Sequence, residues 1–269
     1  MAAEAARRLA LVTGASAGLG EAFARAYAAR GLDVALVARR ADRLEALAAE
    51  LRARHNVDTF PIRADLADWE AHVPVMEALE ASGRHVDVLV NNAGFGISHS
   101  FTSVPWSRQR DFLMTMAVNG CGLAYDVIPG MCHRGHGAII NVASMAAFSP
   151  GVAGNTLYPG VKSLMLKFSQ ALDAEYRDKG IKVTAVAPGF VRTEFGKAAG
   201  VQHIMDREPR LFWSSAEQVA ESAIQANEHG RVVIIPGWHN RVAALLLRGL
   251  PEPLVRRVVA AGSAKYHLE

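Results

Sequence analysis

The sequence predicts one α/β domain built on a doubly wound, seven-stranded parallel sheet. Three observations carry that expectation. Short β-rich runs alternate with amphipathic helical stretches, the pattern of βαβ units. The run Val86–Asn91 is nearly all apolar, as befits a strand covered on both faces. A glycine-rich turn, Thr13-Gly14-Ala15-Ser16-Ala17-Gly18-Leu19-Gly20, joins the first strand to the first helix.

Strands are expected at Leu9–Thr13, Val34–Ala38, Thr59–Arg63, Val86–Asn91, Ala138–Ala143, Lys182–Ala187 and Val232–Pro236. The first helix should run to about Arg30 and stop at Gly31, and a second should span Arg40–Arg54. The chain has 269 residues, 51% of them hydrophobic, enough for a sizeable core. No linker or repeat divides it, so residues 1–269 read as a single domain, with a substrate lid near 190–215 and a C-terminal extension near 238–269.

Charge and cysteines exclude several classes. Lys and Arg number 29 against 26 Asp and Glu, with no dense basic block, so no nucleic-acid partner is expected. Cys121 and Cys132 form no Cys-x-x-Cys pair, so neither a metal site nor a disulfide framework is expected. Free thiols, no apolar leader and no uncharged spanning run point to the cytoplasm.

In the turn, Gly14 permits a tight bend. Gly18 lets backbone N–H groups approach a pyrophosphate, and Gly20 permits close helix packing. Ser16, Ala17 and Leu19 complete a cradle at a helix N-terminus. Glu21 after Gly20 rules out a P-loop, which needs Lys there. Gly14-Ala15-Ser16-Ala17-Gly18 matches a hydrolase nucleophile elbow by letter, but the strands that must precede an elbow are absent. Arg39-Arg40 follow the second strand, where an acid would favour NAD. A guanidinium suits the 2′-phosphate of NADP(H), with NAD(H) a second cofactor. Ala17 is not basic, which leaves Arg39 carrying more of that preference. Asp65, ahead of Leu66, could bond the adenine amine, cap a helix, or do both.

These motifs resemble those of the short-chain dehydrogenase/reductase family, of single-domain, Rossmann type, and they span nearly the whole chain. Asn91-Asn92-Ala93-Gly94 is similar to the motif that braces the sheet beside the cofactor. Asn119 matches the family's catalytic Asn, Ser144 ends strand five, and Tyr158 and Lys162 form Tyr-x-x-x-Lys. Pro188-Gly189-Phe190-Val191-Arg192-Thr193 resembles the nicotinamide-side loop. Val233-Ile234-Ile235-Pro236-Gly237 with Asn240-Arg241 is similar to bacterial ketone and ketoacyl reductases.

The resemblance implies an NADPH-dependent carbonyl reductase or alcohol dehydrogenase. Tyr158 would pass a proton, and Lys162, on the same helix face, would lower the phenol's pKa and bind the cofactor ribose. Ser144 would polarise the carbonyl, and Asn119 would support a water linking Lys162 to solvent. Pro159 places the helix start just before Tyr158, with Asn155 or Thr156 near its cap. A cofactor-binding regulator without catalysis would have no need of this proton relay.

The lid carries Phe190, Phe195, Met205, Leu211, Phe212 and Trp213, facing Phe95, Ile97, Met145 and Val152. That apolar lining favours a hydrophobic ketone, aldehyde or acyl chain. The Arg-punctuated tail Arg241–Ala261 suits packing on the domain, an oligomer contact or a membrane surface, and Pro251 and Pro253 weigh against any long helix there. Family relatives imply a homo-oligomer, a dimer or tetramer.

Overall fold

The computed structural model describes residues 7–263 except 152, 201, 203–205, 207 and 208, so Val152 and Met205 lie outside the described residues. The strands are β1 (Leu9–Thr13), β2 (Asp33–Ala38), β3 (Thr59–Arg63), β4 (Val86–Asn91), β5 (Gly137–Val142), β6 (Ile181–Val186), β7 (Phe190–Arg192), β8 (Trp213–Ser215) and β9 (Val233–Ile234). The helices are α1 (Gly18–Ala28), α2 (Ala41–His55), α3 (His72–Ala81), α4 (Trp106–Leu113), α5 (Asn119–Arg134), α6 (Tyr158–Tyr176), α7 (Phe195–Ala198), α8 (Ala216–Glu228), α9 (Trp238–Gly249) and α10 (Glu252–Ser263).

Seven strands form one parallel sheet in the order β3-β2-β1-β4-β5-β6-β9. The chain winds outward from β1 to β3, then crosses back to start β4 on the other side of β1. That reversal opens a crevice beyond the carboxyl ends of β1 and β4.

Strand alternation splits the core into two layers. Ala10 and Val12 join Phe23, Leu44 and Val219 beneath α1, α2 and α8. Leu9 and Leu11 join Val75, Leu123 and Leu172 beneath α3, α5 and α6. Each face of the central strands is therefore covered, which explains their near-continuous apolar sequence.

The main differences from expectation lie at element ends. β5 and β6 each begin and end one residue early, and β9 is only two residues long. α1 stops at Ala28, two residues before Arg30, and Gly31 takes φ +77° in the turn beyond. Three further features carried no signal. α3 begins at His72 with Pro74 in its first turn, where proline loses no hydrogen bond. β7 and β8 pair in a small separate ladder that closes the two ends of the 190–215 segment. A five-residue π-turn, Met114–Val118, joins α4 to α5.

Candidate active site

The glycine-rich turn lies at the crevice. Gly14 and Gly18 have φ of +66° and +58°, a region that L side chains rarely adopt. A Cβ on Gly20 would strike the Gly14 carbonyl oxygen. Asn92 and Ala93 clamp the turn: the Asn92 amide donates to Thr13 O at 2.8 Å, while Thr13 Oγ1 accepts from the Asn92 and Ala93 N–H groups at 2.9 and 3.0 Å. Gly94 has no room for a side chain against Met116 of the π-turn. α1 has no side-chain cap at Ala17, so its first-turn N–H donors face the crevice unclaimed by a side chain. A cavity of about 800 Å³ opens there between Ala17, Gly18 and Arg43 on one side and Arg192, Thr193 and Glu194 on the other. Uncapped donors, a cradle closed to any Cβ and flanking guanidiniums fit the phosphates of a dinucleotide.

The two arginines after β2 divide. Arg40 donates to Ser16 Oγ at 3.2 and 3.1 Å and to Ser16 O at 3.2 Å, placing its guanidinium on the turn. Arg39 turns toward Asp65, 3.6 Å away. Of the two, Arg40 is the one anchored beside Ser16, while Arg39 remains exposed. Asp65 accepts from Ala67 N at 3.1 Å and so stabilises a turn, while α3 starts only at His72, so Asp65 does not cap that helix. Leu66 is buried, and its carbonyl accepts from Asn119.

Ser144 leaves the end of β5 and Tyr158 opens α6. The Ser144 hydroxyl lies near enough to the Tyr158 phenol to draw its pKa down, and it accepts from Ala146 N at 3.2 Å. Pro159 falls in the first turn of α6 as expected, but Leu157 is the N-cap, without a side-chain bond, so neither Asn155 nor Thr156 caps the helix. Lys162 is buried, donates to Val142 O at 2.8 Å and sits 5.6 Å from the Tyr158 ring centroid. Burial pulls its pKa down to about 8. The expected lowering of the phenol by Lys162 is not what dominates here. Burial pushes the Tyr158 phenol up, and the opposing influence is the nearby Ser144 hydroxyl.

Asn119 stands where the π-turn meets α5, its N–H bonded to Met114 O. Its side chain is fully buried and points at the segment after β3. Both amide protons are taken, by Leu66 O and Asp68 O at 2.9 Å, and its oxygen accepts from His72 N at 3.1 Å. The amide donors are thus unavailable to hold a water beside Lys162. Below the site, a buried polar ladder ties the sheet to α6. Asn91 donates to Asn141 at 3.0 Å, Asn141 to Ser169 at 2.8 Å, and Ser169 to Met165 O at 2.7 Å.

The loop after β6 is pinned from two sides. Met145 N donates to Pro188 O at 3.0 Å, and a Cβ on Gly189 would meet Asn240, itself bonded to Pro236 O. Val191 sits in β7, and the Thr193 side chain packs on Gly18. Among the expected substrate residues, Phe195 lies 6.1 Å from the Tyr158 ring, and Phe95 reaches Tyr158 through Phe112, at 5.6 and 6.4 Å. Phe190 and Trp213 pack on each other across β7 and β8, while Phe212 meets His239 of α9 edge-on. Phe190, Phe212 and Trp213 therefore shape the cover rather than ring the phenol. A small recess beside Tyr158 adds His99, Phe112, Asn155 and Thr156, which sequence reading did not single out as site walls.

Comparison with known proteins agrees with this geometry. The family described as short chain dehydrogenase matches residues 8–203. An uncharacterized oxidoreductase from Myxococcus xanthus (strain DK1622) is 31% identical over 252 residues, covering 94% of this chain and 96% of the relative. The very-long-chain 3-oxoacyl-CoA reductase of Homo sapiens is 32% identical over 223 residues, covering 80% and 67%. A solved short-chain dehydrogenase from Sphingobium yanoikuyae, in complex with NADPH, superposes with TM-score 0.80 at 32% identity, covering 88% of this chain and 91% of its own.

Proposed function

The chain belongs to the short-chain dehydrogenase family, and from that membership we propose an NADP(H)-dependent carbonyl reductase or alcohol dehydrogenase acting on a hydrophobic ketone, aldehyde or 3-oxoacyl-type substrate. The observation that carries the reading is the meeting of Ser144, Tyr158 and Lys162 at the carboxyl-end edge of the sheet, the same edge from which the glycine-rich turn leaves β1.

When bound, the nicotinamide gives or takes the hydride. The chain's own residues manage the oxygen and its proton. Ser144 donates to the substrate carbonyl, and Tyr158 hands its phenolic proton to the oxygen as negative charge develops there. A phenol held above its ordinary pKa stays protonated at neutral pH and is ready to donate. Lys162, charged below about pH 8, steadies the phenolate left behind. Asn119 acts by position, fastening the α4–α5 helix to the segment after β3.

Preference for NADP(H) is supported by Arg40 and Ser16 beside the turn, with Arg39 close by, and by the NADPH held by the Sphingobium relative. An apolar substrate is supported by the ring cluster of Phe95, Phe112 and Phe195 around Tyr158. Residues 190–215 act as the lid, and α9 at the start of the C-terminal extension buttresses the loop after β6 through Asn240. The same reading includes a homo-oligomer in the cytoplasm. Its support is the exposed apolar side chains Val118, Tyr125 and Leu164 on the α4–α5 helix and α6.

The test is cofactor consumption with a panel of apolar ketones, aldehydes and 3-oxoacyl thioesters, run with NADPH and with NADH. Turnover with NADPH on at least one apolar carbonyl is expected. Binding of NADPH with no turnover across the whole panel would instead make the protein a cofactor-dependent regulator.

A further inference from the structure

The cofactor cavity contains an acid that serves no step above. Glu194 follows Thr193, the residue packed on Gly18, and reaches across the cavity to the start of α2. Its carboxylate accepts from Arg40 at 3.2 Å and from Arg43 at 3.0 and 3.1 Å. Arg40 meanwhile keeps its bonds to Ser16. Two guanidiniums thus converge beside the glycine-rich turn, and the anion between them comes from the protein itself. The paired arginines hold the Glu194 carboxyl below its usual range. All three side chains are about half exposed, at 42%, 46% and 53%. Exposed ion pairs of this kind are weak and readily exchanged. A phosphate monoester, with up to two charges and three acceptor oxygens, is the stronger ligand for the same guanidiniums.

We propose that Arg43 joins Arg40 and Ser16 in binding the cofactor's 2′-phosphate, and that Glu194 is a built-in competitor for that phosphate which gives way when the cofactor enters. The inference rests on the NADP(H) reading above. It makes Glu194 a residue that sets affinity for the phosphorylated cofactor while leaving the unphosphorylated one nearly untouched. It also explains why an acid sits in a cavity meant for anions: the arginines stay paired and ordered until a better anion arrives.

Calorimetric titration of the full chain with NADPH, NADH and adenosine 2′,5′-bisphosphate tests this. Glu194→Gln should tighten NADPH and the bisphosphate by about fivefold, the scale of one or two exposed ion pairs, and leave NADH within about twofold. In the Glu194→Gln background, where the competitor is gone, Arg43→Gln should weaken NADPH by about fivefold and spare NADH. Weaker binding of both dinucleotides to Glu194→Gln would mean that the acid clamps the cofactor, and unchanged binding that it is idle. Either result overturns the proposal while a wild-type preference for NADPH leaves the NADP(H) reading standing. Equal wild-type affinity for NADPH and NADH overturns both.

Discussion

Replacing Lys162 by methionine should stabilise the protein at neutral pH. Lys162 is 5% exposed. Burial takes its pKa from the ordinary 10.5 to about 8, a gap of 2.5 that penalises the charged form by roughly 3 kcal/mol. The folded value lies below the unfolded one, so the unfolded chain holds this proton more tightly. The penalty is therefore complete below about pH 8, fades as pH rises toward 10.5, and is absent above that. Methionine has similar length and no charge. It forfeits the 2.8 Å bond from Lys162 to Val142 O, a loss of about 1 kcal/mol. The net gain is about 2 kcal/mol near neutrality, or about 6 °C in melting temperature for a chain of this size. Denaturant titrations of both proteins without cofactor, at about pH 7 and about pH 10, measure it, because every other titrating group cancels in the difference. The gain should shrink to about zero at the higher pH. A variant less stable at neutral pH, or a gain equal at both values, would refute the reasoning.

Three further outcomes follow from the same geometry. Alcohol oxidation needs Tyr158 as a base, and its burial-raised pKa means the rate should climb with pH up to at least the ordinary phenol value of 10.0; a plateau below about pH 8 would contradict this. Gly20→Ala should abolish cofactor binding or folding, because the new Cβ meets the Gly14 carbonyl oxygen; circular dichroism and NADPH titration separate the two, and normal binding would count against the cradle. Asn141→Leu should cost about 2 kcal/mol by leaving Asn91 and Ser169 without their shared buried partner; a neutral result in denaturant titration would show the ladder to be idle.

Much of the architecture was legible because local rules and tertiary context agree. β1 and β4 are apolar on both faces since helices cover both, and Gly14, Gly18 and Gly20 sit where backbone conformation or crowding admits no other residue. The Tyr158–Lys162 spacing survives Pro159 because the helix begins at Tyr158 itself. Other features were hidden for physical reasons. Which arginine reaches the turn depends on side-chain direction, and adjacent Arg39 and Arg40 point apart. Desolvation of the phenol depends on Phe112 and Phe195, which come from distant segments. The partners of Asn119 lie about fifty residues away, and the π-turn that positions it leaves no mark in hydrophobic periodicity. Glu194 reads as one more surface acid until the fold sets it opposite Arg40 and Arg43.

The most direct test follows the transferred hydrogen itself. NADPH carrying deuterium at both C4 positions should be mixed with a ketone that the protein turns over, and the alcohol analysed by mass spectrometry and NMR. One deuterium should appear on the new carbinol carbon, at a rate that falls by about a thousandfold in Tyr158→Phe while NADPH binding persists. Unlabelled alcohol, or full-speed deuterium transfer without the Tyr158 hydroxyl, would contradict the account.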